Sequence, residues 1–257
     1  MTPETDDRAA PPAGEAVTSS ALASSALASS ALASSALASS TVWRVSRRSG
    51  TAVELHALVP SADDGRTMFV MDVAGPAVVF GSTQSAALAD ESVAVAAGVE
   101  IASRRSGGGA VWLAPEDSVW IDLVVSRGDP LWHDDVAKSM WWVGEAWCAA
   151  LTALDICGLS IHRGALVTSP WSRLICFDGL GPGEVCRDGA KLVGISQRRT
   201  RDLARFQCVL YRAYDPSLML SVLRDPRPEV DALRPVATID ASASAVVDSL
   251  SGALAAC

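Results

Sequence analysis

The sequence predicts a mixed α/β (α+β) domain with a central mixed, largely antiparallel sheet flanked by helices. Three observations predict it. Short apolar β-type runs recur between turn residues, as at 76–81, 119–125 and 206–211. Asp188-Gly189 stands between two further β runs, 185–187 and 191–195, and marks a hairpin. Strand–helix–strand repeats are few, and the glycines at 107–109 lack the G-x-G-x-x-G spacing of a dinucleotide-binding turn.

The elements follow in order. Residues 21–40 are four copies of Ala-Leu-Ala-Ser-Ser. A period of five advances about 500° around a helix, so successive leucines drift by about 140° and build no apolar face. Residues 1–40 are therefore expected to be a disordered low-complexity tail, and 41–257 the folded domain. Ala52 to Leu58 reads as a strand, as does Pro76 to Gly81, with Ser82-Thr83-Gln84 as the turn after it. Ala86 to Ala97 reads as one helix closed by Gly98. Val99 to Arg104 is a short strand. Val119 to Val125 is a strand broken by Asp129-Pro130. A long helix is expected from Asp134 to Leu154, with apolar residues at three- and four-residue steps. Leu159 to Arg163, Arg173 to Phe177 and Phe206 to Tyr211 read as strands. Pro216 to Leu223 and Ala241 to Ala255 read as terminal helices.

The chain has 257 residues and a net charge of -8, an acidic balance that argues against nucleic acid as a partner. Arg198, Arg199, Arg201 and Arg205 form a local basic patch. None of the six cysteines forms a CxxC pair, so no metal site is expected. The acidic opening, Met1-Thr2-Pro3-Glu4, is unlike a signal peptide, and no apolar run is long enough to span a bilayer. A cytoplasmic protein with free thiols and no membrane partner is expected.

The chemistry concentrates in two segments. Arg104-Arg105-Ser106-Gly107-Gly108-Gly109 places two cations before three glycines. Bare backbone N–H groups beside guanidiniums can seat a carboxylate or phosphate, and a plain tight turn explains the same glycines. About eighty residues later comes Cys176-Phe177, then Lys191 to Arg199. Cys176 is the candidate nucleophile. A thiol at its usual pKa of ~8.5 is a few per cent thiolate at neutral pH. One cation at ~4 Å and an effective dielectric of ~20 favours the thiolate by up to ~4 kcal/mol before desolvation is charged against it. Lys191 is the candidate cation, and it can also neutralise the charge that grows on an attacked acyl group. Gly194 suits a close approach of ligand to backbone, and Ser196, Gln197 and Arg198 offer hydrogen bonds beyond it. His56, His133 and His162 read as structural, and Trp132, Trp141, Trp142 and Trp147 as core packing or, alternatively, an acyl-chain wall.

Taken together, Arg104 to Val111, Ala190 to Arg198 and Pro76 to Gln84 resemble the signature segments of the biotin/lipoate-protein ligase superfamily, with features of both lipoate-protein ligase A and the cysteine-dependent octanoyltransferases. The resemblance spans about 50–215. It implies a sheet related to class II aminoacyl-tRNA synthetase cores. It also implies transfer of a lipoyl or octanoyl group to the lysine of a lipoyl carrier domain, of the glycine cleavage H protein or 2-oxoacid dehydrogenase E2 type. On this resemblance Lys191 contacts the acyl carbonyl and phosphate. Arg104, Arg105, Ser106, Gly107, Gly108 and Gly109 form the acyl- and nucleotide-binding loop, and Gln84 lies on the substrate-side turn.

Two branches compete. Ligases use ATP, with magnesium, to form an acyl-adenylate and need no cysteine. Octanoyltransferases take the acyl chain from acyl carrier protein through a cysteine thioester and require no cofactor. One transferase branch carries Cys-Phe fifteen residues before its lysine, a spacing that Cys176-Phe177 and Lys191 reproduce, whereas three consecutive glycines are more usual of ligases. The expectation leans to the Cys176 thioester. The chain departs from the family at Leu113, Glu184 and Gln207, where His, Asn-Asp and His-Gly motifs are usual. Those departures motivate a third reading, a non-catalytic relative that binds an acyl group or carrier. A biotin ligase fits less well, because the Cys-Phe to Lys spacing has no role there.

Overall fold

The computed structural model describes Met1 and residues 42–257. The expected tail, 1–40, lies outside the described residues apart from Met1. Among the described residues ten strands form two sheets. The larger contains β1 (Arg44–Gly50), β2 (Thr67–Val73), β6 (Ser118–Ser126), β7 (Leu159–Ile161), β8 (Val185–Arg187), β9 (Ala190–Arg199) and β10 (Leu203–Tyr211), in the order β1-β2-β6-β10-β9-β8-β7. Only β1 and β2 run parallel in it. The smaller sheet is β4 (Glu100–Ser103), β3 (Ala77–Phe80) and β5 (Val111–Leu113), with β3 central. The α-helices are α1 (Ala52–Ala57), α2 (Glu91–Ala96), α3 (Trp141–Thr152), α4 (Ser217–Ser221) and α5 (Ala243–Leu254). Among the described residues no helix is long and apolar enough to cross a membrane.

Strand β6 shows why the large sheet has two covered faces. Ile121, Leu123 and Val125 turn toward Val143, Trp147 and Leu250 of α3 and α5. Trp120 and Val124 turn the other way, toward the small sheet and α1. This is the period-2 alternation of a strand, apolar on both sides because both sides are packed. Asp122 interrupts the second face as a fully buried carboxylate.

Five expectations need correction. Ala52 to Leu58 contains a helix, not a strand. Thr51 and Glu54 form a capping box (Glu54 N to Thr51 Oγ1 3.2 Å, Thr51 N to Glu54 Oε2 2.9 Å), and the Glu100 carboxylate accepts from the N–H groups of Ala52 and Val53 at 2.7 and 3.0 Å. The helix expected over 86–97 is split. Asp90 accepts from Ser92 N and Val93 N and starts α2 afresh after a 3₁₀ turn. Gly98 does close it, at φ 66°. The helix expected from Asp134 begins at Trp141, because the Asp135 side chain holds Ala137 N and Lys138 N in a local turn. Residues 173–177 form no strand. Ser169 Oγ accepts from Trp171 N and Ser172 N, Leu174 and Ile175 donate back to Trp171 O, and a 3₁₀ turn follows at Cys176–Asp178. Strands β1 and β2 lie outside the expected elements: β1 is a polar edge, and β2 carries a buried apolar run without alternation at 68–71, between Thr67 and a partly exposed Asp72.

Candidate active site

The site is assembled where two loops are sewn together. Ala110 N donates to Leu174 O at 2.7 Å, and Cys176 N donates to Ala110 O at 2.9 Å. Gly109 permits that approach: a methyl there would lie 2.8 Å from Cys176 N and from Ile175 C. Gly108, at φ 98°, turns the loop in front of the thiol, and a methyl on it would sit 3.7 Å from Cys176 Sγ. Gln84 completes the seam. Its Nε2 donates to the carbonyls of Arg173 and Leu174 at 3.1 Å each, and its Oε1 accepts from Gly81 N.

Arg104 is a clamp from inside. Its buried guanidinium donates to Val79 O, Gly107 O and Gly109 O at 2.9, 2.8 and 2.7 Å, so the cation shapes the glycine loop. Arg105 points elsewhere. It is exposed and, with Arg198, lines a separate cavity of about 450 Å³.

Lys191 and Cys176 come together. Lys191 Nζ donates to Cys176 O at 3.1 Å and Gly179 O at 3.2 Å, and lies 2.7 Å from Glu184 Oε1. An ammonium has three N–H groups, and three acceptors surround this one. It also stands over the Phe177 ring, 4.8 Å from the centroid. Burial works to lower its pKa, but the neighbouring Cys176 and Glu184 acids outweigh burial and hold the pKa above the ordinary lysine value. Gly194 makes room: a methyl there would lie 2.9 Å from two Phe177 ring atoms and 3.3 Å from Lys191 Cε.

Cys176 stands between two spaces. One is a cleft of about 730 Å³, bordered by Gln84, Gly107, Gly108, Lys191, Ser196 and Gln197. The other is a narrow slot of about 30 Å³, walled by Val79, Val111, Leu113, Trp120, Phe177 and Val209. The slot's polar residues form a chain of contacts. Ser106 Oγ lies 2.9 Å from Ser196 Oγ and donates to Gln207 Oε1 at 2.7 Å, while Gln207 Nε2 lies 3.3 Å from His56 Nδ1 and 3.4 Å from Asp122 Oδ2. Arg205 pairs with Asp122 at 2.5 Å, and Trp120 Nε1 donates to Asp122 Oδ1 at 2.7 Å. His56 stacks on Trp120, ring centroids 4.3 Å apart. Burial first, then the charges of Arg205 and Arg104, lower its pKa to about 3, so it is neutral.

The structure thus divides the residues singled out in the sequence. Cys176, Lys191, Gln84, Gly107, Gly108, Gly109, Gly194, Ser196 and Gln197 gather around the thiol. Ser106 and Arg104 support that group from behind, and Arg105 and Arg198 lie with the second cavity. Asp122 stands outside the residues singled out in the sequence, although a carboxylate inside an apolar strand is itself a signal, and Arg205, expected in a basic patch, is instead buried against it. Glu184 enters the sequence reading only as a departure. No group of three or more His, Cys, Asp or Glu gathers as a metal site among the described residues.

A family model described as the lipoyl protein ligase A/B catalytic domain matches residues 51–255. Among solved structures, a putative lipoate protein ligase from T. acidophilum with bound lipoic acid superposes with a TM-score of 0.62 at 17% identity, covering 82% of this chain and 84% of that one. A lipoate-protein ligase A bound with ATP gives a TM-score of 0.64 at 17% identity, over 81% and 82% of the two chains. P. falciparum LipL1 in complex with lipoate gives 0.55 at 11% identity, over 82% and 60%. These likenesses establish the fold. No curated protein sequence matches the chain.

Proposed function

The chain belongs to the lipoyl protein ligase A/B catalytic-domain family, and from that premise we propose that it transfers a lipoyl or octanoyl group to the lysine of a lipoyl carrier domain through a thioester on Cys176. The observation that carries this reading is the Lys191 ammonium fixed beside Cys176 with all three N–H groups engaged. A charge held in that way favours a thiolate without needing a free donor. In the first step the thiolate attacks the carbonyl carbon of an acyl thioester, such as octanoyl-acyl carrier protein. A new C–S bond forms, the donor's C–S bond breaks, and the donor thiol leaves and takes a proton. In the second step the neutral ε-amine of the carrier lysine attacks the acyl-cysteine. A C–N bond forms, the Cys176 sulfur leaves as thiolate, and the amine's proton passes to solvent. The cleft in front of Cys176 gives donor and carrier their access.

The second reading is an ATP-dependent ligase working through an acyl-adenylate. The bare loop of Gly107 and Gly108 at the cleft favours it. The charges favour it less. A triphosphate with magnesium calls for cations free to meet its oxygens. Of the basic residues described as lining the cleft, Lys191 is fully engaged and Arg173 alone has no side-chain partner. These residues fit a nucleotide poorly.

Intact-mass spectrometry after incubation with octanoyl-acyl carrier protein separates the readings. The thioester route requires a hydroxylamine-labile octanoyl adduct on the wild type that a Cys176→Ser variant does not form. No adduct, with acyl-adenylate appearing from ATP, magnesium and free lipoate, would replace it with the ligase reading. Silence in both assays, with an acylated carrier still bound, would leave a non-catalytic relative.

A further inference from the structure

Glu184 is held at both carboxylate oxygens. It is buried, and its carboxylate is fixed from two directions: Oε2 accepts from Gly181 N at 2.6 Å, and Oε1 accepts from Ile195 N at 3.0 Å while facing Lys191 Nζ at 2.7 Å. One backbone donor belongs to the turn before β8 and the other to β9, so the carboxylate cannot follow the lysine if the lysine moves.

The titratable groups around Lys191 are few. Cys176 and Glu184 face it directly, Cys186 lies behind it on β8, and Arg234 shares a small cavity with it. Around Cys176 stand Arg104, Tyr211 and Tyr214. Burial raises the Cys186 thiol and both phenols, so none of them carries negative charge near neutral pH.

Before acylation Lys191 has two acidic neighbours, Cys176 and Glu184. After acylation the sulfur is a neutral thioester, and Glu184 is the one anion left beside a buried ammonium. We infer that Glu184 is a positioning residue: it keeps Lys191 charged and in place while Cys176 carries the acyl group. That is the interval in which the carrier amine attacks and an oxyanion develops on the acyl carbon. An ammonium that had lost its proton would offer that oxyanion no charge. The inference rests on the thioester reading of Cys176. Glu184 also competes with the thiolate for Lys191, so its two effects have opposite signs: it restrains thiolate formation and supports the transfer that follows.

The test uses a Glu184→Gln variant of the full chain with two separate readouts. The first is the pH dependence of Cys176 alkylation by iodoacetamide in the free enzyme. The second is single-turnover transfer from isolated octanoyl-enzyme to a lipoyl domain. The expected result is a split: the alkylation midpoint moves to lower pH, while transfer slows by on the order of 100-fold at pH 8 and its basic limb falls earlier. In a Lys191→Gln background, adding Glu184→Gln should change neither readout further. Equal losses in both readouts with unchanged pH profiles would reduce Glu184 to a structural role. Transfer at the wild-type rate would overturn the inference outright. Circular dichroism melting shows whether the variant is folded; if it is not, Glu184→Asp, which keeps the charge and withdraws it from Lys191, must show the slower transfer. Failure of the wild type to form any acyl adduct would overturn the thioester reading and the inference with it. An unmoved alkylation midpoint counts against Glu184 alone.

Discussion

Two buried ion pairs stand on neighbouring strands, and they are built for different ends. Arg205 on β10 meets Asp122 at 2.5 Å and also donates to Leu58 O at 2.7 Å. The pair ties the segment after α1 to the large sheet, and Trp120 holds the second carboxylate oxygen. Lys191 on β9 meets Glu184 at 2.7 Å, but its other donors go to carbonyls of the loop that carries Cys176, and it borders the cleft. A guanidinium forks rigidly between fixed acceptors, whereas an ammonium is a compact charge that can exchange partners. Burial and pairing are common to both, so they do not separate a working ammonium from a scaffold. What sets Lys191 apart is its place beside the Cys176 loop and its open side on the cleft.

Breaking the first pair gives the largest expected effect. Asp122→Asn leaves Arg205 buried without its counter-ion and should lower stability by about 3–5 kcal/mol, read as the shift in a urea unfolding curve. The alkylation midpoint of Cys176 should stay where it is; a shift would mean that the two pairs act as one system. Lys191→Gln probes the other side. Per folded molecule, acyl-adduct formation should fall by about 10²–10³-fold, measured by quenched-flow mass spectrometry. Its stability loss should be smaller than that of Asp122→Asn, because Glu184 keeps two backbone donors. If stability falls and the adduct rate does not, Lys191 belongs with Arg205 as scaffold.

What was legible in the sequence tracks how local the determining physics is. The hairpin at Asp188-Gly189 and the strands β6 and β10 follow from patterns a few residues long, and the structure contains them. Residues 52–58 looked like a strand because their apolar content was read without the Thr51–Glu54 box or the distant Glu100 carboxylate that stabilises the helix start. Chemistry and spacing single out Cys176 and Lys191, and in the fold the Lys191 ammonium donates to the backbone carbonyl of Cys176. Arg104 was expected to face a ligand. Its neighbours are carbonyls from β3 and from its own loop, and only the three-dimensional path of that loop reveals them. The Asp122 network joins residues up to 151 positions apart, beyond any local pattern.

Gly194→Ala sharpens the comparison on the Lys191 side. The added methyl meets the Phe177 ring at 2.9 Å and must push it toward the slot or toward Lys191. Overpacking of this kind costs about 1–3 kcal/mol. The expected functional result is a preference for shorter acyl chains, seen as a higher ratio of hexanoyl to octanoyl kcat/KM. An unchanged ratio would place the acyl chain outside the slot.

The remaining effect lies on the Arg205 side and concerns pH. His56 has its pKa lowered from 6.5 to about 3, mainly by burial and then by Arg205 and Arg104. The folded state therefore holds the neutral ring while the unfolded chain takes up a proton below the ordinary histidine pKa. The stability this provides is complete above pH ~6.5 and is lost as pH falls toward the folded value of about 3. The slope is at most about 1.4 kcal/mol per pH unit. A His56→Gln variant cannot titrate there, so urea unfolding at pH 7.5, 5.5 and 4.5 should show wild type losing stability faster than the variant. Carboxylates such as Asp64 and Asp90 titrate in both proteins and cancel in the difference. Parallel curves would mean that His56 is protonated in the fold against two guanidiniums, and the Arg205 side would then be the adaptable one of the two.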